Sequence, residues 1–101
     1  MEPMRRIVML PCAAQDLEDV IDYLSQFYAN TAIKQYDRIV SKIQELPRFP
    51  EMYEEYGASH YHFAYRRMVV DDYLVFYAVL DDAIEIHRIL HGKRDIGRYF
   101  D

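Results

Sequence analysis

In residues 84–91, Ile84, Ile86, Arg88 and Leu90 alternate with Glu85, His87, Ile89 and His91, and Glu85, His87 and His91 are the groups in this chain best suited to acid–base chemistry. On a regular strand Glu85, His87 and His91 share one face with Ile89, in steps of about 7 Å for every two residues. A carboxylate beside two imidazoles is a workable general acid–base group near neutral pH. Cations flank the set: Arg66 and Arg67 upstream, and Lys93, Arg94 and Arg98 just beyond it. Arginine makes planar, bidentate contacts with phosphate and carboxylate, so Arg67 and Arg94 could hold a phosphate for such a group. The plainer reading of the polar row is the solvated or partner-covered side of an antiparallel sheet. Likewise, Arg66 or Arg67 could pair internally with an acidic residue such as those at 16–22.

Other chemistries find less support. His60 and His62 are two apart and could chelate from one strand face, and His87 and His91 are four apart, but no cysteine partner or HExxH pattern accompanies them. No metal or cofactor is expected. Cys12 has no activating neighbour apart from a helix N-terminus. With three glycines, the chain has no glycine-rich phosphate loop.

The composition bounds what these residues can belong to. The 101 residues make one domain, half of them apolar, with ten tyrosines and no tryptophan. A single cysteine excludes an intramolecular disulfide and fits a reducing cytosol. The apolar run at 7–10 is too short for a signal peptide and is broken by Pro11, and no membrane segment is expected. Net charge is −5, from 12 Lys+Arg against 17 Asp+Glu. Proteins that grip nucleic acid through phosphates usually carry a strong positive field, so this balance argues against a free-standing nuclease.

The elements that must position the candidates follow from periodicity. Residues 5–10 read as a first strand ended by Pro11. Ala14, Leu17, Val20, Ile21, Leu24, Phe27 and Tyr28 mark one face of an amphipathic helix, with Asp16, Glu18, Asp19 and Asp22 largely off it as a solvated face. Asn30–Thr31 is a break and cap. Ala32, Ile33, Tyr36, Ile39, Val40, Ile43 and Leu46 then form the stripe of a second helix, stopped by Pro47. Residues 47–60 read as loop. From residue 61 the period becomes two, with strands near 61–70, 73–80 and 83–90 and turns at Asp71–Asp72 and Asp81–Asp82. The expected fold is two-layer α+β: an N-terminal strand and a helical hairpin packed on an antiparallel meander. The strand at 73–80 is apolar on both faces and therefore central, with Leu74 and Phe76 on the side away from the helices. In the last strand Ile84, Ile86, Arg88 and Leu90 suit the helix-packed face, although a single β-bulge would exchange the two sets.

Several segments in this order resemble the RelE/ParE superfamily of bacterial type II toxins. They are Ala14-x-Asp16-Leu17-x-x-Val20-Ile21-x-Tyr23, then Ile39-x-x-x-Ile43-x-x-Leu46 before a proline, the Arg66–Arg67 pair, Tyr73-x-x-x-Tyr77, and Ile86-His87-Arg88-x-x-His91-x-x-Arg94-Asp95. The resemblance spans most of the chain and implies a single domain over 1–101 with the fold just described. RelE-like members are ribosome-dependent mRNA endoribonucleases with an arginine in the third strand. Here Leu74 stands at that place, while Arg94 matches a second arginine and Tyr99 or Phe100 a C-terminal tyrosine. ParE-like members inhibit DNA gyrase and end in a motif similar to His91-Gly92-Lys93-Arg94-Asp95. The long helical hairpin is also ParE-like.

The favoured reading is a ParE-like, cytoplasmic toxin of a plasmid-stabilisation type. It would act on a protein target, by resemblance gyrase, and be neutralised by a cognate antitoxin, in a homodimer or a toxin–antitoxin heterotetramer. Partner contacts would involve Arg66, Arg67, Leu74, Phe76, Arg88, His91 and Arg94. Two alternatives stand beside it: a ribosome-dependent mRNA nuclease using Glu85, His87, His91 and Arg94, and a non-toxic relative that only binds its antitoxin. Leucine cannot replace an arginine that stabilises phosphate charge, a contact worth several kcal/mol, roughly 3, in a transition state.

Overall fold

The structure, a computed structural model, describes residues 4–56 and 64–93. Strand β1 (Arg6–Met9) leads into helix α1 (Pro11–Ser25), and helix α2 (Ala29–Glu45) runs back. A two-residue strand β2 (Glu55–Tyr56) precedes the hairpin-linked strands β3 (Tyr65–Val70), β4 (Tyr73–Val79) and β5 (Ala83–His91). Pro11 does more than end the first strand. It occupies the first turn of α1, where its missing N–H costs nothing.

The sheet order is β1-β5-β4-β3-β2. The meander is antiparallel, and β1 joins its far edge parallel to β5, so the sheet is mixed. The segment at 47–60 is not all loop, since Glu55–Tyr56 pairs with β3. Two residues are too few to show a period. At the β3–β4 turn Asp71 takes a left-handed conformation (φ 55°) that aspartate tolerates. Its carboxylate accepts bonds from Arg38 (2.7 and 3.0 Å) and Gln35 (3.1 Å), tying the turn to α2.

One sheet face carries the helices. Its core joins Ala13, Leu17 and Val20 of α1 and Ile39, Ile43 and Leu46 beside α2's end to Met68, Val75, Tyr77, Ile84, Ile86 and Ile89. The helical stripes depart from expectation in two ways. Ala13 rather than Ala14 is buried, and Asp16 is only 8 % exposed instead of solvated. Phe27, Tyr28, Ile33 and Tyr36 remain exposed. Burial follows Ala13, Asp16, Leu17 and Val20 along α1 and Ala32, Ile39 and Ile43 along α2. Among the described residues nothing covers the four exposed side chains at and beyond the hairpin tip. Tyr28 also replaces Asn30–Thr31 as the residue preceding α2. Among the described residues, no helix is long and apolar enough to cross a membrane.

Candidate functional site

The decisive local feature is a β-bulge in β5. Tyr77 pairs with Ile86 and Phe76 with Arg88, so His87 is the extra residue. Before the bulge Ile84 and Ile86 enter the core, and Glu85 and His87 lie on the opposite face. After it the assignment reverses: Ile89 is in the core, His91 stands across from Tyr73, and Leu90 across from Leu74. The expected row of Glu85, His87, Ile89 and His91 is therefore broken, because one inserted residue moves every later side chain to the other face. Glu85 and His87 stay together. His91 sits on the helix side, its ring edge-on to Tyr73 at 5.3 Å, with Nδ1 accepting the Lys93 N–H.

On the face away from the helices Tyr65 completes a relay with His87 and Glu85. Its hydroxyl is 3.1 Å from His87 Nδ1, and His87 Nε2 is 3.2 Å from Glu85 Oε1. With neutral imidazole the chain runs from Tyr65 O–H to Nδ1 and from Nε2–H to the carboxylate. Burial, reinforced by the Glu85 charge, raises the Tyr65 phenol above its ordinary value of 10.0. Sequence reasoning missed Tyr65, because its place beside His87 depends on β3–β4–β5 register. Both imidazole nitrogens are engaged within the fold, and the ring is nearly enclosed, with 11 % of the side chain exposed.

The cations are also engaged internally. Arg66 and Arg67 point to opposite faces. Arg66 donates to the carbonyls of Glu51 (3.2 Å) and Tyr53 (2.7 Å) and faces Glu55 at 3.5 Å. Arg67 pairs with Glu54 and lies over the Tyr56 ring, 5.4 Å from its centroid. Thus both arginines meet acids of the 51–55 segment rather than those of α1. Arg67 Nε is shielded from solvent without a hydrogen-bond partner. Phe76 is fully buried, edge-on to Tyr56 at 5.0 Å, while Leu74 is half-buried and Val69 on β3 is exposed. The other face is therefore less open than its apolar composition suggests.

Arg88 belongs to a joint that the pattern did not anticipate. β1 ends at Met9 opposite Ile86, and β5 continues past it. There the Asp16 carboxylate accepts two bonds of 2.7 Å from Arg88 and one of 2.9 Å from the Ile89 N–H. The helix residue thus replaces the strand partner that β5 has lost. Beside this joint a cleft of about 420 Å³ opens between α1 and β5, lined by Asp19, Val20, Tyr23, Tyr73, Ile89 and His91 among others. Arg94, Arg98, Tyr99, Phe100, His60 and His62 lie outside the described residues.

This arrangement, a helical hairpin over a meander with a parallel N-terminal strand, agrees with a family model described as the ParE toxin of type II toxin–antitoxin systems, parDE, which matches residues 7–96. The chain belongs to the ParE toxin family. It is accordingly the toxin component of a type II system. In fold this ParE-family chain is similar to the solved structure titled chromosomal ParDE TA system from P. aeruginosa, with a TM-score of 0.73 and 20% identity over 87% of this chain and 96% of that one. No curated protein matches the ParE-family chain by sequence.

Proposed function

We propose that this ParE-family toxin acts by contact with a protein target, DNA gyrase, rather than by catalysis, and that a cognate antitoxin in the cytoplasm neutralises it. The observation that carries this reading is the closure of the acid–base group. His87 spends both ring nitrogens on Tyr65 and Glu85, and His91 lies on the other face. The paired state of Arg66 and Arg67, and Leu74 in place of a phosphate-binding arginine, support the same reading. Gyrase as the target rests on the ParE-like character of the chain. Of the residues expected to meet a partner, Leu74 and His91 keep accessible surface, and Arg67 keeps about a third of its side chain exposed. Arg66, Phe76 and Arg88 hold the fold that presents them.

A nuclease is the second reading. One observation favours it: Tyr65, His87 and Glu85 form a continuous hydrogen-bonded relay on the same face as Arg67. Induction of the toxin in a bacterial host with pulse labelling separates the two. An early stop in DNA synthesis, with inhibition of supercoiling by purified gyrase, is the expected result, and His87→Ala should leave both intact. An early stop in protein synthesis with mRNA cleavage, abolished by His87→Ala, would overturn the proposal in favour of the nuclease. Harmless expression would identify a relative that only binds its antitoxin.

A further inference from the structure

Three features of the α1 flank converge on one surface. The first is the cleft between α1 and β5, floored by Val20, Tyr73 and Ile89. The second is an aromatic ridge continuing from its rim. Tyr23 lines the cleft and meets Phe27 edge-on at 5.3 Å, and each is 59% exposed. Tyr28, 73% exposed, follows at the hairpin tip. Large aromatic side chains left in water next to a preformed cleft mark an interaction surface more specifically than scattered apolar residues do.

The third feature is charge. Glu18, Asp19 and Asp22 stand on the same helix, and none is in an ion pair among the described residues. Asp19 accepts one bond from Gln15 and otherwise borders the cleft. Asp16, by contrast, is saturated by Arg88 and Ile89. Among the described residues that line the cleft, Lys93 is the one lysine or arginine. Two copies of this surface brought face to face would juxtapose their acids, which disfavours self-association. A partner carrying both apolar anchors and positive charge is complementary to it. The geometry also limits the shape of the occupant. β5 runs on beyond the end of β1, and Asp16 already takes the Ile89 N–H there, so among the described residues the cleft is a side-chain groove between α1 and β5, to be filled by side chains of the occupant.

We propose that this groove receives a basic, apolar segment of the antitoxin, with a lysine or arginine opposite Asp19 and apolar side chains over Tyr23 and Phe27. The assignment rests on the chain being a type II toxin and does not depend on which target it poisons. The test uses the full-length toxin and the antitoxin encoded beside it, with affinity measured at low and at high salt. Asp19→Lys combined with Asp22→Lys should weaken binding at least tenfold, with the loss shrinking as salt rises. Tyr23→Ser combined with Phe27→Ser should weaken it at least tenfold at either salt. These side chains are exposed, so circular dichroism and thermal melting should match the wild type. Phe49→Ser, an exposed apolar residue outside the groove, should bind normally. Unchanged antitoxin affinity in both double variants would overturn the proposal, and so would a loss confined to gyrase inhibition, which would assign the groove to the target. Lost antitoxin binding by variants of a wild-type toxin that leaves gyrase untouched would uphold the groove while removing the gyrase reading.

Discussion

Replacing Asp16 with alanine tests the joint that fastens α1 to the sheet. Its carboxylate takes two bonds of 2.7 Å from Arg88 and one of 2.9 Å from the Ile89 N–H, and only 9% and 20% of the Asp16 and Arg88 side chains are exposed. Removing one partner of a buried ion pair leaves the other charge uncompensated, at about 3–5 kcal/mol. Arg88 retains some contact with water, which puts this case at the lower end. The orphaned Ile89 N–H belongs to the same loss, since a buried donor without an acceptor costs about 1–3 kcal/mol. The two effects share one carboxylate and overlap, so the expected total is about 3 kcal/mol. That is a large part of the roughly 5–15 kcal/mol that holds a domain together. It corresponds to a fall in Tm of roughly 12–24 °C for a chain of this size. Urea titration followed by circular dichroism measures it directly. Asp16→Asn, which keeps an acceptor, should lose less. The double variant Asp16→Ala/Arg88→Met should recover part of the loss, because it buries no lone charge. An Asp16→Ala midpoint within about 0.5 kcal/mol of the wild type, at unchanged slope, would refute the reasoning and reclassify the joint as an ordinary surface pair.

Other consequences are open to the same methods. Burial pushes the Tyr77 phenol up to about 12, Arg66 opposing, so the unfolded state ionises first; stability should hold below pH 10 and fall as pH rises towards 12. Tyr77→Phe, which gives up the 2.9 Å bond to the Pro50 carbonyl, should cost about 0.5–1.5 kcal/mol at neutral pH and flatten that alkaline decline in a urea series. Hydrogen bonds from Arg38 and then Gln35 lower the Asp71 carboxyl below its ordinary value of 3.8, so its contribution is present above that pH and lost as pH falls through the depressed value. Asp71→Asn should therefore be less stable than the wild type at pH 7, and the difference should close in acid; a gap independent of pH would contradict the assignment. Phe76→Ala empties a fully buried site and should cost about 3–5 kcal/mol in the same titrations.

Much of this fold is legible from local pattern. Three-and-four spacing marks the helices, two-residue spacing and the Asp–Asp pairs mark the meander, and Pro11 and Pro47 punctuate between them, because these preferences act within a few residues of the chain. The resemblance to RelE/ParE toxins rests on the same strings, and the match over residues 7–96 agrees with it. Burial along the hairpin was less legible. Periodicity shows which stripe of a helix is apolar, but not how far the sheet extends beneath it, so Phe27 and Tyr28 read as core and stand in water.

The candidate site depended on long-range geometry. Glu85 and His87 are neighbours on any strand, so their contact follows from spacing alone. The separation of His91 from them follows from one bulge, and the pairing of Tyr65 with His87 from register across three strands. Asp16 shows the difference most plainly. By sequence it is one of four acids on an amphipathic helix. In the folded chain β1 ends at Met9, opposite Ile86, while β5 runs on to His91, and the buried Ile89 N–H and Arg88 need an acceptor at that place. The chain's own order thus determined which elements form and their family. Only packing decided which polar groups lie within reach of one another, since a hydrogen bond requires angstrom-scale positioning that sequence spacing cannot supply across seventy residues.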